Sequence, residues 1–510
     1  MNIKFNIFNM LGFIWNKVIT TSPAKCIALF FLLAAAFAAG INYLVGFDGI
    51  DFNGDCYVYF QMAKYFKQSL SNLILPDHHL HWPYGYPAFL SISFLFFGET
   101  FKAAQWINLI AGGALITILG SIALFVARIK VLDSEKTILF VLAAMLMLIG
   151  RGIMLKYQLI IMSDMMGAFW AMLTVFLIWK WAISKKRILL LLAGIAFGLA
   201  ISTRYVYVLV AVPLIVVALS ELSLRQLFFQ SLFFILGLLI GVFPEMMIAL
   251  NGSSHGVNNE LLDAWEFKNL FALTLESVSS GQQKSRIPSL VYYAIAPFRW
   301  EDFSPLGLIF VCLGFYYAVL ELPRWLWLSL LLWYLTFYIF LCGIPIRNPR
   351  LAFSLYLPLS IFVSFGVLWC LDYLQTKRVM WCVILLTFVS IIFSTQHIKK
   401  LVESKNELLK TSVEVAILAK ENSRIISTSL YAVYHAYPAK IEPKSIYSMS
   451  ISEAKVLLSD GKKTFLAIDN DKFIPNYGNY PAGKTYLWIR NHYICDETDH
   501  SGEFTIYQIK

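Results

Sequence analysis

Apolar runs recur along the first four hundred residues, at roughly 26–46, 103–126, 137–150, 159–180, 188–203, 205–221, 229–250, 305–321, 325–342, 351–372 and 379–396. Runs of about 17–25 residues are what a helix needs to cross a bilayer core. The pattern therefore predicts about eleven transmembrane helices, with 137–150 short and 188–203 parted from 205–221 by Arg204 alone. Two polar stretches interrupt it, 47–102 and 251–304, the second with a helix expected over 260–269 and a flexible turn at 279–283. From His397 the pattern changes: a lysine-bearing amphipathic helix over 397–421 is followed by short β-like runs at 424–428, 464–468, 484–489 and 504–509. A helix over about 451–461 and Gly/Pro/Asn turns lie among them. The expected fold is an α-helical polytopic membrane protein, with a transmembrane domain over 1–396 and a small α/β domain over 397–510.

Composition agrees. The 510 residues are 59% hydrophobic and 14% charged, against about 25% charged in a soluble domain, and the mean hydropathy is +0.67. The net charge of +10 belongs to cytoplasmic loops rather than to nucleic-acid binding. With the N-terminus inside, the inner loops hold fourteen Lys and Arg (Lys4, Lys17, Lys25, Arg128, Lys130, Lys136, Lys180, Lys185, Lys186, Arg187, Arg225, Arg324, Lys377, Arg378). The short outer loops hold five: Arg151, Lys156, Arg204, Arg347 and Arg350. That asymmetry places 47–102, 251–304 and 397–510 outside. The seven scattered cysteines show neither a disulfide framework nor metal-ligand spacing. The run from Ile27 reads as an uncleaved signal-anchor.

Candidate chemistry concentrates in 47–98. This stretch carries Asp48, Asp51 and Asp55, three of the eight histidines (His78, His79, His81), and an amphipathic helix with Tyr59, Met62, Ala63, Phe66 and Leu70 on one face. Pro76, Pro83 and Pro87 punctuate the approach to a second short apolar helix ending at Gly98. A carboxylate at a membrane edge serves as a general base when burial raises its pKa. Three neighbouring acids also suit a hard cation, so a divalent metal stays open and no cofactor is assigned. Asp55 fits a helix cap as well. The histidines lack the spacing of a helical zinc site and read as a polar loop at the lipid headgroups. Asp164, at the outer start of 159–180, either caps its helix or faces a polar cavity. Arg204, Arg347 and Arg350 near outer span ends fit either snorkelling or an anion site. No glycine-rich nucleotide loop is present.

The pattern Asp55-x-Tyr57-x5-Ala63 followed by His81-Trp82-Pro83-x-Gly85-Tyr86-Pro87 resembles the first outer loop of the GT-C superfamily of integral-membrane glycosyltransferases. The similar groups are the bacterial relatives of dolichyl-phosphate-mannose protein mannosyltransferases and the lipid A aminoarabinose transferases. Ser163-Asp164, Gly198-Leu199-Ala200-x3-Arg204 and Arg350 with Pro358 resemble further family elements, although Leu351 stands where the family has tyrosine. The resemblance covers about 26–375. It implies hexosyl or pentosyl transfer from a polyprenyl-phosphate-linked sugar to a lipid, polysaccharide or protein acceptor. The setting it implies is a bacterial cytoplasmic membrane, with the site and the C-terminal domain outside. Asp55 matches the catalytic acid, a general base for inverting attack at the anomeric carbon. Arg204 and Arg350, with Lys156, would meet the lipid phosphate. Asp164, Asp48 and Asp51 would be supporting or alternative acids, and His81, Trp82 and Tyr86 would shape the loop. Two other classes compete. A lipid or solute transporter or flippase would show repeats or mid-span acids. A surface-polysaccharide polymerase or ligase would show a large late outer loop, which 251–304 fits weakly.

Overall fold

The apolar runs fold as helices. The computed structural model describes residues 23–45, 55–72, 83–149, 151–251, 265–277, 281–374, 376–419, 423–428, 442–447, 449–501 and 504–510. Among these, seven helices are long and apolar enough to cross a membrane: Phe101–Ile129, Ser163–Ser184, Arg225–Met246, Ser304–Glu321, Arg324–Gly343, Phe353–Tyr373 and Arg378–Lys400. Ser134–Ile149 with Gly152–Leu159, bent by 65° at their junction, makes an eighth candidate if the pair is one broken span rather than a re-entrant loop. The expected eleven is reached only when Pro23–Val45, Arg187–Thr203 and Tyr205–Glu221 are counted too.

Phe353–Tyr373 is the central helix, buried from Phe353 to Leu368. Leu224–Asn251 is peripheral and turns Phe228, Leu232, Leu236, Leu239 and Phe243 outward, as a lipid-facing helix should. It grips Arg187–Thr203 through two pairs of glycines spaced by four, Gly194 and Gly198 against Gly237 and Gly241. A Cβ on Gly198 would stand 2.7 Å from the Leu238 carbonyl oxygen, and one on Gly241 2.5 Å from that of Ile195. Small residues at this spacing let two backbones touch where hydrophobic burial gives no drive.

The first polar stretch supplies two helices, Asp55–Ser71 and Gly85–Phe97, which pack on each other through Tyr59 against Tyr86 and Phe60 against Phe94. Phe101–Ile129 is capped by Thr100, whose hydroxyl accepts the Ala103 N–H. This helix presents Gln105 and Asn108 to the non-helical link before Ser163: Gln105 donates to the Leu159 carbonyl (2.9 Å) and Asn108 to that of Met162 (3.0 Å). These side chains satisfy backbone groups that hydrocarbon could not, and so fix where Asp164 begins its helix.

In the second polar stretch, the turn expected at 279–283 lies partly outside the described residues, and its remainder is strand: Gly281–Lys284 pairs with Thr274–Ser277. The helix expected at 260–269 falls mostly outside the described residues; Phe267–Leu270 is a 3-10 turn. One helix, Thr376–Ala419, joins the last apolar run to the amphipathic segment after it. The C-terminal domain holds a five-stranded sheet ordered Glu442–Ser445, Arg424–Ser427, Thr464–Ile468, Phe504–Ile509, Cys495–Ser501, parallel across its first three strands and antiparallel across the rest. The strand expected at 484–489 is instead part of a helix, Pro481–His492. Its buried Ala482, Thr485, Tyr486 and Ile489 recur at helical spacing behind Pro481 at the first turn, and that packing outweighs the β preference of the aromatic and branched residues.

Candidate active site

Four residues from four distant parts of the chain meet at one point. Asp55 opens the Asp55–Ser71 helix, and Asp164 lies in the first turn of Ser163–Ser184. Arg204 is the extended residue that ends Arg187–Thr203, and Arg350 precedes Phe353–Tyr373. Arg350 donates through Nη1 to Asp55 Oδ2 (2.5 Å) and through Nε to Asp164 Oδ2 (2.8 Å). Arg204 Nη1 pairs with the other Asp164 oxygen, Oδ1. The result is a neutral chain of alternating charges, Asp55–Arg350–Asp164–Arg204.

The two acids differ in access. The Asp164 side chain is 2% exposed and holds one arginine on each oxygen, whereas that of Asp55 is 21% exposed and meets one guanidinium. Burial opposes the charge of Arg350, but Asp164 and then Asp55 outweigh it and hold its pKa well above the usual arginine value. Arg350 is therefore a fixed cation with two donors aimed at oxygen. Tyr59 donates to or accepts from Ser163 Oγ (2.9 Å) and ties the Asp55 helix to the Asp164 turn. Burial pushes its phenol up to about 12, against the opposing pull of Arg350 and Arg204, so it stays neutral.

The other expected residues fall as follows. Tyr86 is fully buried, edge-on to Tyr59 at 5.0 Å between centroids. Lys156 lies on Gly152–Leu159, half-buried, its ammonium 5.6 Å from the Tyr157 ring centroid; Tyr157 packs on Phe353. Asp48, Asp51, His81 and Trp82 lie outside the described residues. Among the described residues no group of three or more His, Cys, Asp or Glu side chains could hold a metal ion. Arg347 does not join the cluster: it donates to Ser289 Oγ (3.1 Å) and to the Leu273 and Ala272 carbonyls, bracing the hairpin.

Sequence reasoning passed over two supports. Asp302 accepts from the Ile153 N–H (3.0 Å) and the Tyr356 hydroxyl (2.7 Å), capping the helix that carries Lys156. Burial raises its carboxyl to about 6. Beside it, the buried Arg151 donates to the Asp302 carbonyl (2.6 Å) and to Ser390 Oγ (2.8 Å). Glu245 accepts from the Tyr84 N–H (2.8 Å) and the Tyr205 hydroxyl (2.6 Å). The available signal was its place as a lone acid inside an apolar run.

A family model described as dolichyl-phosphate-mannose-protein mannosyltransferase matches residues 25–245, which include Asp55, Asp164 and Arg204. In three dimensions the chain is similar to ArnT from Cupriavidus metallidurans bound to undecaprenyl phosphate, with a TM-score of 0.63 at 11% identity over 94% of this chain and 97% of that one. The chain has the GT-C fold. The apo state of the same ArnT agrees, at TM-score 0.61 and 11% identity over 96% and 98% of the two chains. No curated protein matches the sequence. The GT-C likeness extends through the C-terminal domain, because the ArnT chain is covered nearly end to end.

Proposed function

We propose that this chain is a membrane glycosyltransferase that takes a sugar from a polyprenyl-phosphate-linked donor and passes it to an acceptor hydroxyl, with inversion. The observation that carries the reading is the alternating cluster at the head of the first loop helix: one accessible carboxylate beside two arginines held by a buried one. Asp55 takes the proton of the acceptor hydroxyl, and the freed oxygen attacks the anomeric carbon. The bond from that carbon to the phosphate oxygen breaks, and the lipid phosphate leaves with the electron pair. Its charge falls to Arg350 and Arg204, whose planar forks suit phosphate oxygens, with Lys156 the weaker candidate. Asp164 positions both arginines rather than acting as a base, since neither of its oxygens is open. The undecaprenyl phosphate bound to C. metallidurans ArnT belongs to the lipid class expected of the donor.

The side of the membrane follows from the charge count, fourteen inner against five outer cations, which favours a cytoplasmic N-terminus and an extracytoplasmic site in a bacterial inner membrane. The Asn470–Tyr477 helix of the C-terminal domain lies against the Gly281–Lys284 strand, so that domain and the second polar loop share a face. The test is sugar transfer from polyprenyl-phosphate donors in proteoliposomes, wild type against Asp55→Asn. Transfer by the wild type alone supports the reading. Undiminished transfer by the variant rejects Asp55 as base, and no transfer with any donor rejects the activity.

A further inference from the structure

We infer that Glu245 is a positioning residue, a clamp that fixes the acid-bearing loop against the backbone arm that carries Arg204. The inference rests on the transfer reading of the Asp55–Arg204 cluster and extends it to a carboxylate that touches none of the four residues' charged groups.

Three elements converge on this side chain. It projects from the interior of the peripheral Leu224–Asn251 helix, directly after Pro244. Its Oε2 accepts the N–H of Tyr84, the residue at the N-terminal boundary of the second loop helix, and its Oε1 accepts the hydroxyl of Tyr205, the residue after Arg204. A carboxylate at the end of an apolar span is costly unless paired, and here both oxygens are used on backbone and hydroxyl donors rather than on a cation. Gly85, next to Tyr84, presses on the end of Arg187–Thr203 so closely that a Cβ would stand 2.5 Å from the Ser202 carbonyl oxygen and 3.0 Å from Thr203 N. The loop thus abuts the chain two residues before Arg204 and is tied, through Glu245, to the residue after it.

The same loop helix leads back to Asp55. Tyr84 lies 6.0 Å from the ring of Phe66, and Tyr86 meets Tyr59 edge-on; Phe66 and Tyr59 both belong to the helix that Asp55 opens. Glu245 therefore sets the register between the base and one phosphate-facing arginine, although these stand on separate elements. It does so beside an apolar cavity of about 140 Å³ that Tyr84, Gly85, Ser202 and Gly241 help to line. The two hydrogen bonds of Glu245 place a directional constraint on the loop there.

Glu245→Gln keeps a carbonyl acceptor for Tyr84 and an amide partner for the Tyr205 hydroxyl, whereas Glu245→Ala removes both links and Tyr205→Phe removes one. The full chain in nanodiscs is examined by hydrogen–deuterium exchange over 84–97, by binding of undecaprenyl phosphate, and by transfer. Glu245→Ala is expected to speed exchange over 84–97 and to weaken undecaprenyl phosphate binding about tenfold, the equivalent of one charge-assisted hydrogen bond. Tyr205→Phe is expected to fall between, and Glu245→Gln to stay within about threefold of wild type. Wild-type exchange in Glu245→Ala overturns the clamp. Loosened exchange with unchanged undecaprenyl phosphate binding overturns its positioning role. Equal damage in Glu245→Gln and Glu245→Ala overturns it in favour of a role for the charge itself. A wild type that binds no undecaprenyl phosphate, with 84–97 still loosened by Glu245→Ala, sinks the donor reading and leaves the clamp in place.

Discussion

Asp164→Asn and Asp55→Asn should fail in different ways, because the two carboxylates sit differently in one charge chain. Asp164 is almost wholly buried and touches both arginines. Neutralising it takes the carboxylate partner from Arg204 and leaves Arg350 with Asp55, and breaking a buried ion pair costs about 3–5 kcal/mol. Among the described residues Asp55 pairs with Arg350 alone, and a fifth of its side chain reaches solvent. Losing a charged hydrogen bond costs about 1.5–3 kcal/mol, and water at Asp55 moves that toward the lower end. Asp164→Asn should therefore unfold about 2 kcal/mol more easily than Asp55→Asn. On the proposed mechanism the chemistry runs the other way: Asp55→Asn would remove the base, worth about 10²–10⁴ in rate, from a protein that is still folded. Denaturant unfolding followed by tryptophan fluorescence in detergent gives the stability order, and proteoliposome transfer gives the rate. An Asp55→Asn protein as unstable as Asp164→Asn, or one transferring within tenfold of wild type, would refute the division of labour.

Three further outcomes follow from the same contacts. Arg350→Lys replaces a fork that reaches both acids with a single ammonium, so transfer should fall at least about tenfold, as initial rates will show. Asp302 carries a pH signature: its folded pKa of about 6 stands above the 3.8 of a free carboxyl. The folded state then binds the proton more tightly, so this group's contribution to stability is full below pH 3.8 and lost as pH rises through about 6. Between pH 7 and pH 5 that is about 1.3 kcal/mol gained by the wild type, and Asp302→Asn should flatten it in paired unfolding curves. Gly241→Leu should separate two helices whose backbones touch, costing about 1–3 kcal/mol by overpacking, measurable in the same unfolding assay.

The helices before residue 396 were legible because hydropathy in a membrane chain is nearly a direct record of spans. The Asp55 helix was legible from the spacing of Tyr59, Met62 and Phe66. What pattern could not show was convergence. Asp55 and Arg350 are 295 residues apart, and nothing local in either records the other. Only the family resemblance placed both on one list, and the same list carried Lys156, whose ammonium lies over the Tyr157 ring. The supports were hidden for a different reason. Glu245 and Asp302 hold backbone N–H groups and tyrosine hydroxyls, and such contacts leave no periodicity in the sequence. In the C-terminal domain, 484–489 misled because aromatic and branched residues favour strands until Pro481 and the burial of Ala482, Tyr486 and Ile489 are weighed together.

The charge chain also constrains the order of events. With Asp55 paired to Arg350 through one of its two oxygens, that oxygen and the cation are both engaged, so turnover is easier from an arrangement in which the pair has opened if Asp55 must take a proton. In the proposed reaction a donor phosphate arriving at Arg350 would bring the anion that can replace Asp55 there, while Asp164, buried and held on both oxygens, would keep the guanidinium from following the exchange. Binding the donor would then release the base, and an empty site would hold it masked. A neutral site of two acids and two arginines suits that sequence better than a surplus of cations would. Surplus cations would hold the departing lipid phosphate as tightly as the donor, whereas here Asp55 competes for Arg350 again once it has passed its proton on.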